Sequence, residues 1–111
     1  MRLIDLHCDT IWMLMREKNT NLKNNPFCVD VEKMKAASSM AQFFACFIYL
    51  NEIASEERWE IGYQLALDMI KRGKAEFAAC SDKISLASNY DDVIKNYAGG
   101  KMSAILTIEE G

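Results

Sequence analysis

Residues 41 to 50, AQFFACFIYL, constrain the fold more than any other stretch, because they are apolar at odd and even positions alike. A strand with one wet face alternates, since successive side chains point to opposite sides, so this run predicts a strand covered on both faces. A parallel sheet with helices packed across it meets that need. The run also carries a glutamine and falls well short of the ~20 apolar residues that cross a bilayer.

The flanking segments agree with such a sheet. RLIDLHCD, at the start, alternates branched and acidic residues and predicts a first strand, and TIWMLMREK predicts a short helix opening at Thr10. NTNLKNNP, with the sole proline, Pro26, is loop, and a helical turn is expected around residues 31–37. Ser55, Glu56 and Glu57 suit a helix N-terminus. Trp59, Ile61, Tyr63, Leu65, Ala66, Met69 and Ile70 then recur at helical spacing, and Lys71, Arg72 and Gly73 close the helix. AEFAACSDKISLAS is short and mixed. Asn89 to Asp92 open a second helix through Val93, Ile94 and Tyr97, stopped by Gly99 and Gly100, and SAILTIEEG is a third strand. Strands separated by helices predict a parallel α/β sheet with right-handed crossovers.

At 111 residues, half of them apolar, the chain has material for one core. Its 16 acids outweigh 13 bases, and its longest basic cluster is KRGK at 71–74, which argues against nucleic acid and anionic membranes as partners. Cys8, Cys28, Cys46 and Cys80 are widely spaced, without the C-x-x-C pairing of a zinc knuckle or redox motif. They are expected to be reduced, in a cytoplasmic protein.

Chemistry concentrates in DLHCDT, residues 5–10, which holds the only histidine. On a regular strand Asp5, His7 and Asp9 share one face. At the carboxyl end of a strand, His7 and Asp9 offer an imidazole and a carboxylate to one metal ion, with Asp5 a step deeper as support. The spacing permits a site without demanding one, because Asp9 or Thr10 could equally cap the following helix while His7 packs. Glu109 and Glu110 are the second candidates. Alternation groups Ile105, Thr107 and Glu109 on the more polar face and sends Glu110 away. Two acids in one row repel, which a cation would relieve.

Together, IDLHCDT, VDVEKMKAASSMAQFFACFIY and SAILTIEEG resemble the N-terminal part of the membrane (renal-type) dipeptidases, metallopeptidase family M19. The family's corresponding patterns are D-x-H-x-D, a segment ending Q-F-F/W, and G-V/I-E-G-G. Here Cys8 stands where many relatives have Asn, Glu110 replaces a glycine, and Ser38 or Ser39 takes the place of the glycine in the second pattern.

The resemblance implies the first three β/α units of a TIM (β/α)₈ barrel over residues 1–111, an incomplete part of one metallo-dependent hydrolase domain. It implies a zinc-dependent dipeptidase that directs a water between two zinc ions at a peptide carbonyl. His7 and Asp9 match the ligands of one zinc, and Glu109 matches the catalytic carboxylate that bridges both. The second zinc of the family needs two further histidines, and a whole barrel needs about 250 residues. The chain is therefore expected to be an inactive fragment. Its barrel-facing surface would be left open and drive self-association or pairing with the missing part of the barrel. The alternative is a non-catalytic α/β binding or assembly module in which His7, Asp9 and Glu109 are structural.

Overall fold

The computed structural model describes residues 1–54 and 56–110. The order is β1 (Leu3–Asp5), α1 (Thr10–Arg16), α2 (Val31–Ala36), β2 (Ser39–Phe47), a 3-10 turn (Leu50–Glu52), α3 (Arg58–Ala79), β3 (Ile84–Leu86), α4 (Tyr90–Ala98) and β4 (Met102–Glu109). All strand pairs are parallel, and the strands lie in the order β1-β2-β4-β3. The α/β sheet with helical crossovers is as expected, and β1, β2 and β4 follow one another as the three strands read from the sequence. No helix among the described residues is long and apolar enough to cross a membrane.

The doubly apolar run explains the layers. Gln42, Phe44 and Cys46 register with Ala104, Leu106 and Ile108, while Phe43, Ala45 and Phe47 register with Ile105, Thr107 and Glu109. On the first face, Phe44, Cys46 and Ala104 join Ile11 and Leu14 of α1 and Met69 and Phe77 of α3 in one buried cluster. Burying each of the larger side chains, Phe44, Ile11, Leu14, Met69 and Phe77, contributes about 1.5–3 kcal/mol, so the fold draws much of its stability from this face.

Three features depart from the sequence reading. First, α3 runs past Gly73 to Ala79. Gly73 is a point of close approach: a Cβ there would lie 2.9 Å from Ile11 Cδ1 and 3.1 Å from Leu106 Cδ2. The glycine therefore lets the helix lie against α1 and the sheet, where the sequence reading took it for a stop. Arg72, read as part of the helix end, instead donates to the carbonyls of Leu14 and Thr20 and ties down the loop after α1.

Second, β3 occupies part of the stretch that gave no clear element. Third, α4 lies on the opposite face of the sheet from α1 and α3. Its Asn96 donates to Ser103 Oγ at 3.0 Å, and its Tyr90 and Val93 line an apolar cavity of about 430 Å³ with Ile4, Phe43 and Ile105. Handedness accounts for this. The connection β3–α4–β4 runs back toward β2, and a right-handed crossover in that direction places its helix on the other side. The face expected to be fully open is thus covered in its lower half. Ile4 and Leu6 remain 50% and 70% exposed there. The capping pattern read at Ser55 lies outside the described residues.

The loop of residues 17–30 is held by a buried carboxylate. Asp30 is 1% exposed and caps α2, accepting from the backbone N–H of Lys33 at 2.7 Å and of Asn25 at 3.0 Å and from the Lys33 ammonium. Burial alone would raise the carboxyl pKa, but the hydrogen bonds from Lys33 and Asn25 together hold it below its ordinary value. A group depressed in this way adds stability that is complete above the ordinary Asp range and is lost as the pH falls through the depressed value. Asp30→Asn should therefore cost about 2–3 kcal/mol near neutrality and flatten the acid limb of stability below about pH 4. Urea midpoints between about pH 2 and pH 7 measure both.

Candidate metal centre

The three side chains singled out by spacing meet at the carboxyl ends of the strands. His7 follows β1, Asp9 precedes α1, and Glu109 closes β4. His7 Nε2 lies 3.2 Å from Asp9 Oδ1 and 3.6 Å from Glu109 Oε2. One ligand atom from each of the three lies within 4.8 Å of the others, and all three residues are exposed.

Local structure explains why these atoms are free to converge. Asp9 stands at the N-cap position of α1, yet its side chain makes no capping hydrogen bond. Thr10 is engaged elsewhere, through Oγ1 to the carbonyl of Val29. The capping role open to either residue is thus taken by neither, and the Asp9 carboxylate turns to the imidazole. On β4, Glu109 shares its face with Ile105 and Thr107, as alternation required. Glu110 points elsewhere, lining an apolar cavity with Trp59, Tyr63 and Ile108 beside α3. Cys8 is buried, facing away from the ligands.

Asp5 departs from the face it was expected to share with His7 and Asp9. Its Cα pairs with Gln42. Three residues on, the N–H of Cys8 donates to Phe43 O and the N–H of Ala45 donates to Cys8 O, which sets Cys8 opposite Phe44. Between these rungs the first chain carries Leu6 and His7 where β2 carries Phe43 alone. The extra residue is a bulge, and it reverses the alternation. Asp5 therefore falls on the face of Gln42 and Phe44, and His7 and Asp9 fall on the other. Asp5 reaches the site through the backbone, accepting from the N–H of His7 at 3.3 Å.

The donor set suits a borderline divalent ion. Imidazole nitrogen and carboxylate oxygen bind Zn²⁺ at about 2.0–2.2 Å, so two donors on one tetrahedral ion lie roughly 3.3–3.6 Å apart. The 3.6 Å separation lies at the upper end of that span and the 3.2 Å separation just below it. Two carboxylates facing one imidazole also give the pocket the negative charge that a cation requires.

The sequence reading gave Gln42 no role at the site, noting it as a break in an apolar run and as the glutamine of the Q-F-F/W pattern. Gln42 is 3% exposed and donates from Nε2 to Asp5 Oδ2 at 2.8 Å. A buried amide needs partners, so a lone glutamine in a strand covered on both faces was itself a signal.

A family model described as membrane dipeptidase, peptidase family M19, matches residues 1–111. The crystal structure of dipeptidase AC, described as a metallopeptidase of family M19, superposes with a TM-score of 0.79 over 97% of this chain at 21% identity. The chain spans 35% of that structure's length. No curated protein matches.

Proposed function

The chain belongs to the membrane dipeptidase family, and from that premise we propose that it is the metal-binding N-terminal part of a zinc-dependent dipeptidase acting on free dipeptides. The observation that carries this reading is the convergence of His7, Asp9 and Glu109 on one point at the carboxyl ends of parallel strands. In barrels of this class catalytic groups sit at that end.

His7 and Asp9 would hold one zinc, and Glu109 would bridge to a second. When bound, zinc supplies Lewis acidity toward a peptide carbonyl and a nucleophilic water at neutral pH. His7 offers the lone pair of Nε2, and Asp9 and Glu109 offer negative charge from two different elements. Because Asp9 is fixed at a helix start and Glu109 at a strand end, the donors are placed before the ion arrives, which lowers the cost of assembling the site. Glu109, on the face shared with Phe47, would set the spacing of the metal pair.

The sequence has one histidine and spans 35% of the matched structure, which supports the reading that these residues alone do not hydrolyse dipeptides. Leu6, Tyr90 and Ile108, each more than half exposed, would drive self-association of the isolated chain or its pairing with further barrel strands. The four unpaired cysteines support a reducing compartment, the cytoplasm.

The test is hydrolysis by the full-length protein. Turnover of dipeptides is expected to vanish on chelation and return with Zn²⁺, while the 111-residue chain shows none. Chelator-insensitive turnover would reject the metal reading.

A further inference from the structure

Resting on the metal reading above, we propose that Gln42 and Asp5 are positioning residues for the metal centre: together they hold the bulge that turns His7 and Asp9 onto the metal-binding face. The hydrogen bonds close around the irregularity. Gln42 Nε2 donates both to Asp5 Oδ2 at 2.8 Å and to the carbonyl of Phe43 at 3.2 Å. That same carbonyl accepts the N–H of Cys8 at 3.0 Å. One amide therefore ties the residue before the bulge to the rung after it.

The other oxygen of Asp5 accepts the N–H of His7 at 3.3 Å. The extra residue takes that N–H out of the regular ladder, and the Asp5 carboxylate gives it a partner. Without the bulge, simple alternation from Asp5 opposite Gln42 would set His7 opposite Phe44, facing α1 and α3 in the core. The metal site then exists only if the bulge persists, and Gln42 is the buried side chain that spans it.

This differs from a general stabilising contact in what it controls. Loss of the Gln42–Asp5 bond leaves the core cluster of Phe44, Phe77 and Met69 intact, because neither residue belongs to it. It frees the segment carrying two of the three donors. Supporting groups of this kind change metal affinity by about 10–100-fold.

The experiment is a Co²⁺ titration of the full-length protein, read by the visible ligand-field bands, for wild type, Gln42→Leu, Asp5→Asn and His7→Ala. Gln42→Leu keeps the bulk and removes both donations; about tenfold weaker Co²⁺ binding with altered bands is expected, alongside a metal-free melting temperature close to wild type. Asp5→Asn, whose side chain is only half-buried, is expected to weaken binding to a similar degree and decides the matter if Gln42→Leu does not fold. Combining Asp5→Asn with Gln42→Glu exchanges amide and carboxylate across the same contact and should recover part of the affinity. Wild-type affinity and bands in Gln42→Leu or Asp5→Asn, beside a His7→Ala protein that has lost the ion, would overturn the positioning role alone. Wild-type affinity in His7→Ala would overturn the metal reading and this proposal with it.

Discussion

His7→Ala in the full-length protein is expected to lower zinc affinity at this site by more than about 100-fold and to reduce dipeptide turnover by on the order of 10³-fold. The first figure follows from scale. Groups that merely support a metal ligand are worth about 10–100-fold in affinity, and His7 would be a ligand itself, the only nitrogen donor in the cluster. Glu109→Gln should be nearly as damaging, since an amide oxygen replaces a charge placed 3.6 Å from the imidazole. The neighbour supplies the control: Glu110→Gln should stay within about twofold of wild type, because that side chain lines a cavity on the other side of β4. Zinc per chain by elemental analysis, together with initial rates on one dipeptide, measures all three. Equal losses at Glu109 and Glu110 would mean that the strand end matters as a whole, and the assignment of one carboxylate to the site would be wrong.

That contrast between adjacent glutamates was legible in the sequence, because β4 is regular and alternation holds along it. The same counting failed at Asp5. Alternation assumes one residue per rung, and the bulge is defined by the hydrogen bonds that join Cys8 to Phe43 and Ala45, on a partner strand more than thirty positions away. No local pattern encodes such a shift. The doubly apolar run was readable for the opposite reason: burial on both faces leaves a composition signal that needs no register. The strand it predicts is found, at Ser39–Phe47 in place of 41–50. Gly73 was misread since a glycine chosen for close packing and one chosen for a helix end look alike until the partner surface is known. β3, three residues long, has too few positions for a period to show. The helix α4 was expected from its Asn89 cap and glycine stop, and both stand at those places. Its face of the sheet was not readable, because that depends on strand order.

Phe44→Ala is expected to cost the protein about 3–5 kcal/mol, a larger stability loss than that expected of Asp30→Asn. Phe44 is 0% exposed, and its ring meets that of Phe77 with centroids 5.1 Å apart at 53°, the tilted geometry that adds to simple burial. It sits mid-strand on β2 between α1 and α3, where rigid neighbours on both sides leave little room for collapse into the cavity. Phe44→Leu fills much of that space and should cost less than about 2 kcal/mol. Denaturant midpoints at constant slope separate the two; a loss below about 1 kcal/mol for Phe44→Ala would mean that the ring is not in a packed core. A second readout ties this residue to the chemistry. Phe44 lies on the rung opposite Cys8, whose N–H and C=O bond to Phe43 and Ala45 on either side of it. The backbone between His7 and Asp9 is thus pinned against the position whose ring is removed. Metal affinity should fall in Phe44→Ala even under conditions where the protein stays folded, and should fall less in Phe44→Leu, because the core that stabilises the sheet also fixes the rung from which both donors project.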